Sequence, residues 1–138
     1  MDKLSVLLVE DNMDDEWLAL RTMRKLGLKQ VTVARDGCAA LSELAAAGLQ
    51  GEDFLPDLVL LDLKLPKLDG IDVLRRLRGE AATSGLNVAI LSSSEDPHAL
   101  AICRSLGVLA CSQKPLTTES LGAILQLLPR QIDQAVGG

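Results

Sequence analysis

The chain has 138 residues, 48% of them hydrophobic, which suffices for one cored domain and leaves no room for a second of ordinary size. Aromatic side chains are nearly absent, with Trp17, Phe54 and no tyrosine, so the core must be aliphatic and base stacking has almost nothing to use. A formal net charge of −5 argues against nucleic acid or an anionic membrane as a direct partner.

The first short apolar run, residues 5–9, reads as a strand. Leu20, Met23 and Leu26 then recur at helical spacing and stop at Gly27. A second run at 30–34 is followed by Leu41, Leu44 and Ala45, with Gly48 as the expected stop. The third run, 58–61, precedes Ile71, Leu74 and Leu77, with Gly79 as the stop. The fourth, 87–91, precedes Ala99, Ile102, Cys103 and Leu106, ended by Gly107. The fifth, 109–112, leads to Leu121, Ile124, Leu125 and Leu128 before Pro129. A glycine just past a helix is the common C-terminal signal. Periodicity alone leaves a buried helical turn open for any one of the short runs.

Five strands alternating with five helices imply an α/β domain with a parallel sheet covered on both faces, doubly wound because a closed barrel needs eight such units. In such folds ligands sit outside the carboxyl ends of the strands. There the sequence places Glu10-Asp11 after strand 1, Asp62 after strand 3, Ser92 after strand 4 and Lys114-Pro115 after strand 5. Clustered carboxylates repel one another, and buried charges are costly unless paired. A hard divalent cation resolves that conflict, and one or two carboxylates with a backbone carbonyl and waters is a typical Mg²⁺ site. Metal and lysine together would neutralise an incoming phosphoryl group, a serine would hydrogen-bond it, and an aspartate is an established nucleophile on phosphorus.

The runs Leu7-Leu8-Val9-Glu10-Asp11-Asn12, Leu60 to Gly70 (LLDLKLPKLDG), Ile90-Leu91-Ser92-Ser93 and Gln113-Lys114-Pro115 resemble the receiver domains of two-component response regulators over about residues 4–128. The resemblance implies a flavodoxin-like sheet of order 2-1-3-4-5 in a single receiver domain spanning 1–138, with 129–138 a C-terminal extension. It implies phosphorylation of Asp62 by a sensor histidine kinase. Mg²⁺ would be held by Asp11, Asp62 and the backbone carbonyl of Lys64, with Glu10 acting largely through water. Ser92 would follow the phosphoryl group, Lys114 would pair with it, and the Lys114–Pro115 bond would be cis. One position departs from the pattern: the switching aromatic that the family usually places three residues before the lysine is Cys111, which puts the output step in question rather than phosphorylation. The Glu-Asp-Asn start and apolar tail are similar to the small regulators paired with bacterial phytochromes.

The remaining polar residues read more plainly. Asp57, Asp69 and Asp72 are expected in solvent or at caps, and Pro66 with Gly70 marks a loop and a helix start. Asp14-Asp15-Glu16 suits a helix N-terminus, with acidity near the metal as a second effect. His98, the single histidine, has no nearby partner ligand. Cys38 and Cys103 read as small core residues, Cys111 as a buried thiol and Trp17 as packed at the start of helix 1. Three widely spaced cysteines, no run of some 18 apolar residues and no signal-peptide cleavage region suit a reducing cytoplasm.

The expected function is therefore a stand-alone phosphorylation switch that assists its own phosphorylation and dephosphorylation and is not a metabolic enzyme. The rivals are a receiver fragment of a larger regulator with a DNA-binding or catalytic output domain, and an Asp-nucleophile phosphatase. The phosphatase reading is disfavoured because such enzymes usually place a second Asp two residues after the nucleophile, where this chain has Lys64. A homodimer is expected through helix 4, strand 5, helix 5 and the tail, where Ile132 and Val136 continue the apolar step from Leu128.

Overall fold

Each apolar run is a strand and each 3.6-residue stripe a helix. The computed structural model describes residues 3–93 and 96–129. In chain order the elements are β1 (Ser5–Val9), α1 (Met13–Lys25), β2 (Gln30–Ala34), α2 (Gly37–Gln50), a 3₁₀ turn (Glu52–Phe54), β3 (Leu58–Asp62), α3 (Gly70–Gly79), β4 (Val88–Ser92), α4 (Pro97–Ser105), β5 (Ala110–Gln113) and α5 (Thr118–Gln126). All strand pairs are parallel, and the sheet order is β2-β1-β3-β4-β5.

Alternation along the strands divides the aliphatic side chains between two cores. Val6, Leu8, Leu58, Leu60, Ala89 and Leu91 pack with Ala19 and Met23 of α1 and with Leu121, Ile124 and Leu125 of α5. Leu7, Val9, Val59, Leu61, Val88 and Ile90 pack with Ala40 and Leu44 of α2, Val73, Leu74 and Leu77 of α3, and Cys103 of α4. Every residue of β3 and β4 is buried, as central strands covered on both sides require. Each fully buried aliphatic side chain contributes about 1.5–3 kcal/mol, so the two layers supply the stabilisation that aromatic packing would otherwise give.

Helix starts are fixed by side-chain caps. Asn12, Asp36, Asp69 and Asp96 accept hydrogen bonds from the amides of Asp15, Ala39, Asp72 and His98, and Thr117 forms a capping box with Ser120. Gly27 and Gly107 take φ of +83° and +75° just past α1 and α4, as their stop role requires. At the C-terminal end of α3, the guanidinium of Arg78 donates to the carbonyls of Leu106, Gly107, Ser84 and Leu86, joining α3 to the turns on either side of β4 and α4.

The structure corrects several local expectations. Strands β3, β4 and β5 end one residue later than the apolar runs, because Asp62, Ser92 and Gln113 still occupy ladder positions. Gly48 does not stop α2. The helix continues to Gln50 and ends at Gly51, and a Cβ at position 48 would lie 3.1 Å from Ala82 Cβ, so the residue serves close packing. Gly79 is the last residue of α3 rather than the one beyond it. Trp17 is 60% exposed on the outer side of α1, with Arg21 stacked at 5.5 Å, because Ala19 and Met23 occupy the inner side. Cys38 is exposed beside the buried Gly37 and Ala40 on α2, whereas Cys103 is fully buried. Asp57 is no solvent residue. Its carboxylate accepts from Ser5 N at 2.9 Å and Ser5 Oγ at 3.3 Å, clamping the start of β1 to β3. Helix α5 ends at Gln126, and the tail residues Ile132 and Val136 lie outside the described residues.

Candidate functional site

Strand parity gathers the charged groups. Glu10 and Asp62 continue the alternation of Val6–Leu8 and Leu58–Leu60, so both face the side of the sheet covered by α1 and α5. Both are almost wholly buried, with side-chain exposures of 2% and 6%. Buried carboxylates of like charge demand a cation. Lys114, in the segment after β5, supplies one: its Nζ lies 2.7 Å from Glu10 Oε1, 3.0 Å from Asp15 Oδ2 and 3.1 Å from Asp62 Oδ2. Three N–H groups thus meet three carboxylates.

The second oxygens of the buried pair are held by backbone amides. Asn12 N donates to Glu10 Oε2 at 3.2 Å, and Lys64 N donates to Asp62 Oδ1 at 3.3 Å. Burial pushes the Glu10 carboxyl up to about 7, against the opposing hydrogen bond from Lys114, and the Asp62 charge adds to the rise. The carboxylates raise the Lys114 ammonium above its ordinary value despite its desolvation.

Asp11 is exposed at the mouth of the site. Carboxylate oxygens of Glu10, Asp11 and Asp62 lie within 4.8 Å of one another. An all-oxygen donor set, open to water on the Asp11 side, has the chemistry of a Mg²⁺ site rather than of a zinc or copper site. The cluster therefore fits the divalent cation expected from the sequence.

Ser92 ends β4 with opposite parity and is buried. It lines a cavity of about 90 Å³ with Leu63, Lys64, Asp96, Ala99 and Leu100, on the α4 side of Asp62. The Lys114–Pro115 bond is cis. Cys111 pairs in register with Ile90, is half-buried, and packs against the core layer of α3 and α4. Burial pushes its thiol upward, opposed by the nearby Arg104 charge. His98 is exposed at the first turn of α4.

Sequence reasoning missed two contributors. Asp15 was legible as part of an acidic helix start, but nothing local indicated that its carboxylate reaches Lys114. Gly70 was legible as a helix start, but its tight role was not. A Cβ there would lie 2.6 Å from Leu63 Cα and run into the carbonyl of Asp62, so only glycine lets α3 begin against the loop after Asp62.

Comparison with known proteins bears on this arrangement. The model of the response regulator receiver domain matches residues 6–126. A probable methanogenesis regulatory protein, FilR2 of Methanothrix harundinacea, is 36% identical over 121 residues, covering 87% of this chain and 77% of that one. The solved structure of the bacteriophytochrome response regulator AtBRR superposes with a TM-score of 0.78 at 38% identity, covering 91% of each chain. The Mn²⁺-bound form of response regulator Rcp1, a protein of Synechocystis, superposes with a TM-score of 0.71 at 25% identity, covering 90% of this chain and 91% of that one.

Proposed function

This chain belongs to the response-regulator receiver family, and from that premise we propose that it accepts a phosphoryl group on Asp62 from a sensor histidine kinase in the presence of Mg²⁺. The observation that carries the reading is Asp62 itself, a buried carboxylate at a strand end with Lys114 Nζ 3.1 Å from one oxygen and the Lys64 amide on the other. Asp62 attacks the phosphorus, and the bond from phosphorus to the kinase imidazole nitrogen breaks with its electron pair returning to that nitrogen. Lys114 and the Ser92 hydroxyl then meet the phosphoryl oxygens. Asp11, Asp62 and the Lys64 carbonyl would hold the metal, with Glu10 acting through water. When bound, the cation supplies charge neutralisation for the acidic cluster and the phosphoryl oxygens.

A bistable segment comprising Ser92, the β4–α4 connection and the α4–β5–α5 face would convert the added charge into a new contact surface. The bacteriophytochrome regulator among the similar structures supports a phytochrome-type kinase as the donor. We read the chain as a stand-alone regulator acting in the cytoplasm. Free thiols at Cys38, Cys103 and Cys111 suit that compartment, and among the described residues no helix is long and apolar enough to cross a membrane. The chain would assist its own phosphorylation and dephosphorylation only. Turnover of free phosphate esters is disfavoured because Lys64 occupies the place where a phosphatase usually has its second Asp.

The test is direct. With Mg²⁺ and acetyl phosphate the chain should gain the mass of one phosphoryl group, and Asp62→Asn should gain none while keeping its circular dichroism spectrum. Equal mass gain on the Asn variant would remove Asp62 as the acceptor.

A further inference from the structure

The Lys114 ammonium has three N–H groups, and all three are spoken for by Glu10, Asp15 and Asp62. A phosphoryl group on Asp62 turns that carboxylate into an uncharged acyl group, so the Asp62 bond passes to one phosphoryl oxygen, and a second such bond requires Lys114 to release Glu10 or Asp15. The three partners are not equivalent. Glu10 and Asp62 are 2% and 6% exposed at the side chain, whereas Asp15 is 36% exposed. Freeing Glu10 would strand a buried charge, but a freed Asp15 is taken up by water.

Resting on the phospho-acceptor reading, we propose that Asp15 is a positioning residue: it holds Lys114 in the unphosphorylated chain and is exchanged for a phosphoryl oxygen when Asp62 is modified. Phosphorylation then does two things at one bond. It gives Lys114 a more highly charged partner, and it cuts the tie between the first turn of α1 and the segment after β5, a contact 99 residues apart in sequence. Asp15 keeps its amide bond to the Asn12 cap and Glu16 keeps Arg35, so the turn loses its bond to Lys114 while those two ties stay. Trp17 and Arg21 lie exposed on the same helix.

The neighbouring acids separate this role from bulk charge. Asp14 is exposed on the same turn, whereas Glu16 is engaged by Arg35 at 3.0 Å and makes a poorer control. The exchange itself breaks no covalent bond. In the test reaction the Asp62 oxygen forms the new bond to phosphorus, and the bond from phosphorus to the donor's acyl oxygen breaks, leaving acetate.

The experiment compares wild type, Asp15→Asn and Asp14→Asn, each with Mg²⁺ and acetyl phosphate, by intact mass against time. Asp15→Asn should be phosphorylated about three- to fivefold faster, the factor that a partly exposed ion pair commands, and Asp14→Asn should stay within about twofold of wild type. Amide hydrogen exchange over residues 13–19 gives the readout that a bulk-charge effect would not move. In wild type, beryllofluoride should speed exchange there; in Asp15→Asn the free protein should already exchange faster, with little further change. Asp15→Asn tracking Asp14→Asn in rate, or wild-type exchange over 13–19 that ignores beryllofluoride, overturns the exchange and leaves Asp62 as acceptor. Absence of added mass on wild type would instead overturn the acceptor reading and this one with it.

Discussion

The main-chain N–H of Lys114 donates to the carbonyl oxygen of Ser92 at 2.9 Å. The hydroxyl and the ammonium that would meet a phosphoryl group are therefore tied through one backbone bond, which extends the β4–β5 ladder one step past Ser92 and Gln113. Opposite strand parity sends Ser92 toward α4, while Lys114 reaches the buried carboxylates on the α1 side. A displacement of Ser92 would pull on the lysine segment, so the two halves of the site are mechanically joined.

Mg²⁺ affinity should depend more on Asp11 than on Glu10. Asp11 is exposed at the site mouth, free to ligate directly, whereas Glu10 is committed to Lys114 and to the Asn12 amide. In a calorimetric Mg²⁺ titration, Asp11→Asn should bind more weakly than Glu10→Gln, and wild-type affinity in Asp11→Asn would remove Asp11 from the metal's ligands. Without metal, Asp11→Asn should be the more stable chain by up to about 1 kcal/mol, the scale of exposed charge interactions.

Removing the lysine should be severe and pH-dependent. Lys114→Met leaves Glu10 and Asp62 buried without their cation, which should cost about 3–5 kcal/mol near neutral pH. The Glu10 carboxyl is raised by burial from its ordinary 4.5 to about 7, so between those values the folded chain binds more protons than the unfolded one. Its contribution is accordingly full below 4.5 and is lost as pH rises through about 7. The variant loses the Lys114 hydrogen bond that opposes the rise, so its stability should climb more steeply on acidification than that of wild type. Urea denaturation at several pH values between about 5 and 8 measures this, and parallel pH profiles for the two chains would contradict it.

Cys111 should limit how far activation reshapes the α4 face. A small thiol packed half-buried against the α3–α4 core layer cannot sweep between exposed and buried positions as a large ring could. Hydrogen exchange with and without beryllofluoride should change around Ser92 and little within β5, and large changes centred on Cys111 would count against the idea. Burial raises the thiols of both Cys103 and Cys111, so iodoacetamide at about pH 8 should label the exposed Cys38 first.

Self-association should use the α4–β5–α5 face, with Leu127 at 53% exposure close to its end. We expect a dimer at micromolar concentration by light scattering, since a two-fold contact would let both phosphoryl groups bias one interface. A monomer with and without beryllofluoride would sink that expectation. A dimer unchanged by truncation after Pro129 would place the contact on the face alone.

The sequence by itself determined the strands, the helices and which polar residues follow each strand, while the sheet order was what the resemblance to receiver domains implied. Short aliphatic runs and 3.6-residue stripes are local signals, and a parallel sheet necessarily collects at one edge the residues just past each strand, so Glu10, Asp11, Asp62, Ser92 and Lys114 could be named from their positions alone. Which of them touch was a different matter. The bond from Lys114 to Asp15 spans 99 residues, and the clamp from Asp57 to Ser5 spans 52. Such contacts depend on how α1 sits against the sheet and on strand register, neither of which is written in any local pattern. The same holds for Trp17, Cys38 and Gly48, which the sequence suggested as packed at the start of helix 1, a small core residue and a helix stop. Helix rotation exposed the first two, and close packing against Ala82 kept the third inside α2. Local periodicity tells the chain what to form, but only packing settles which face of each element turns inward and which buried charges must share one lysine.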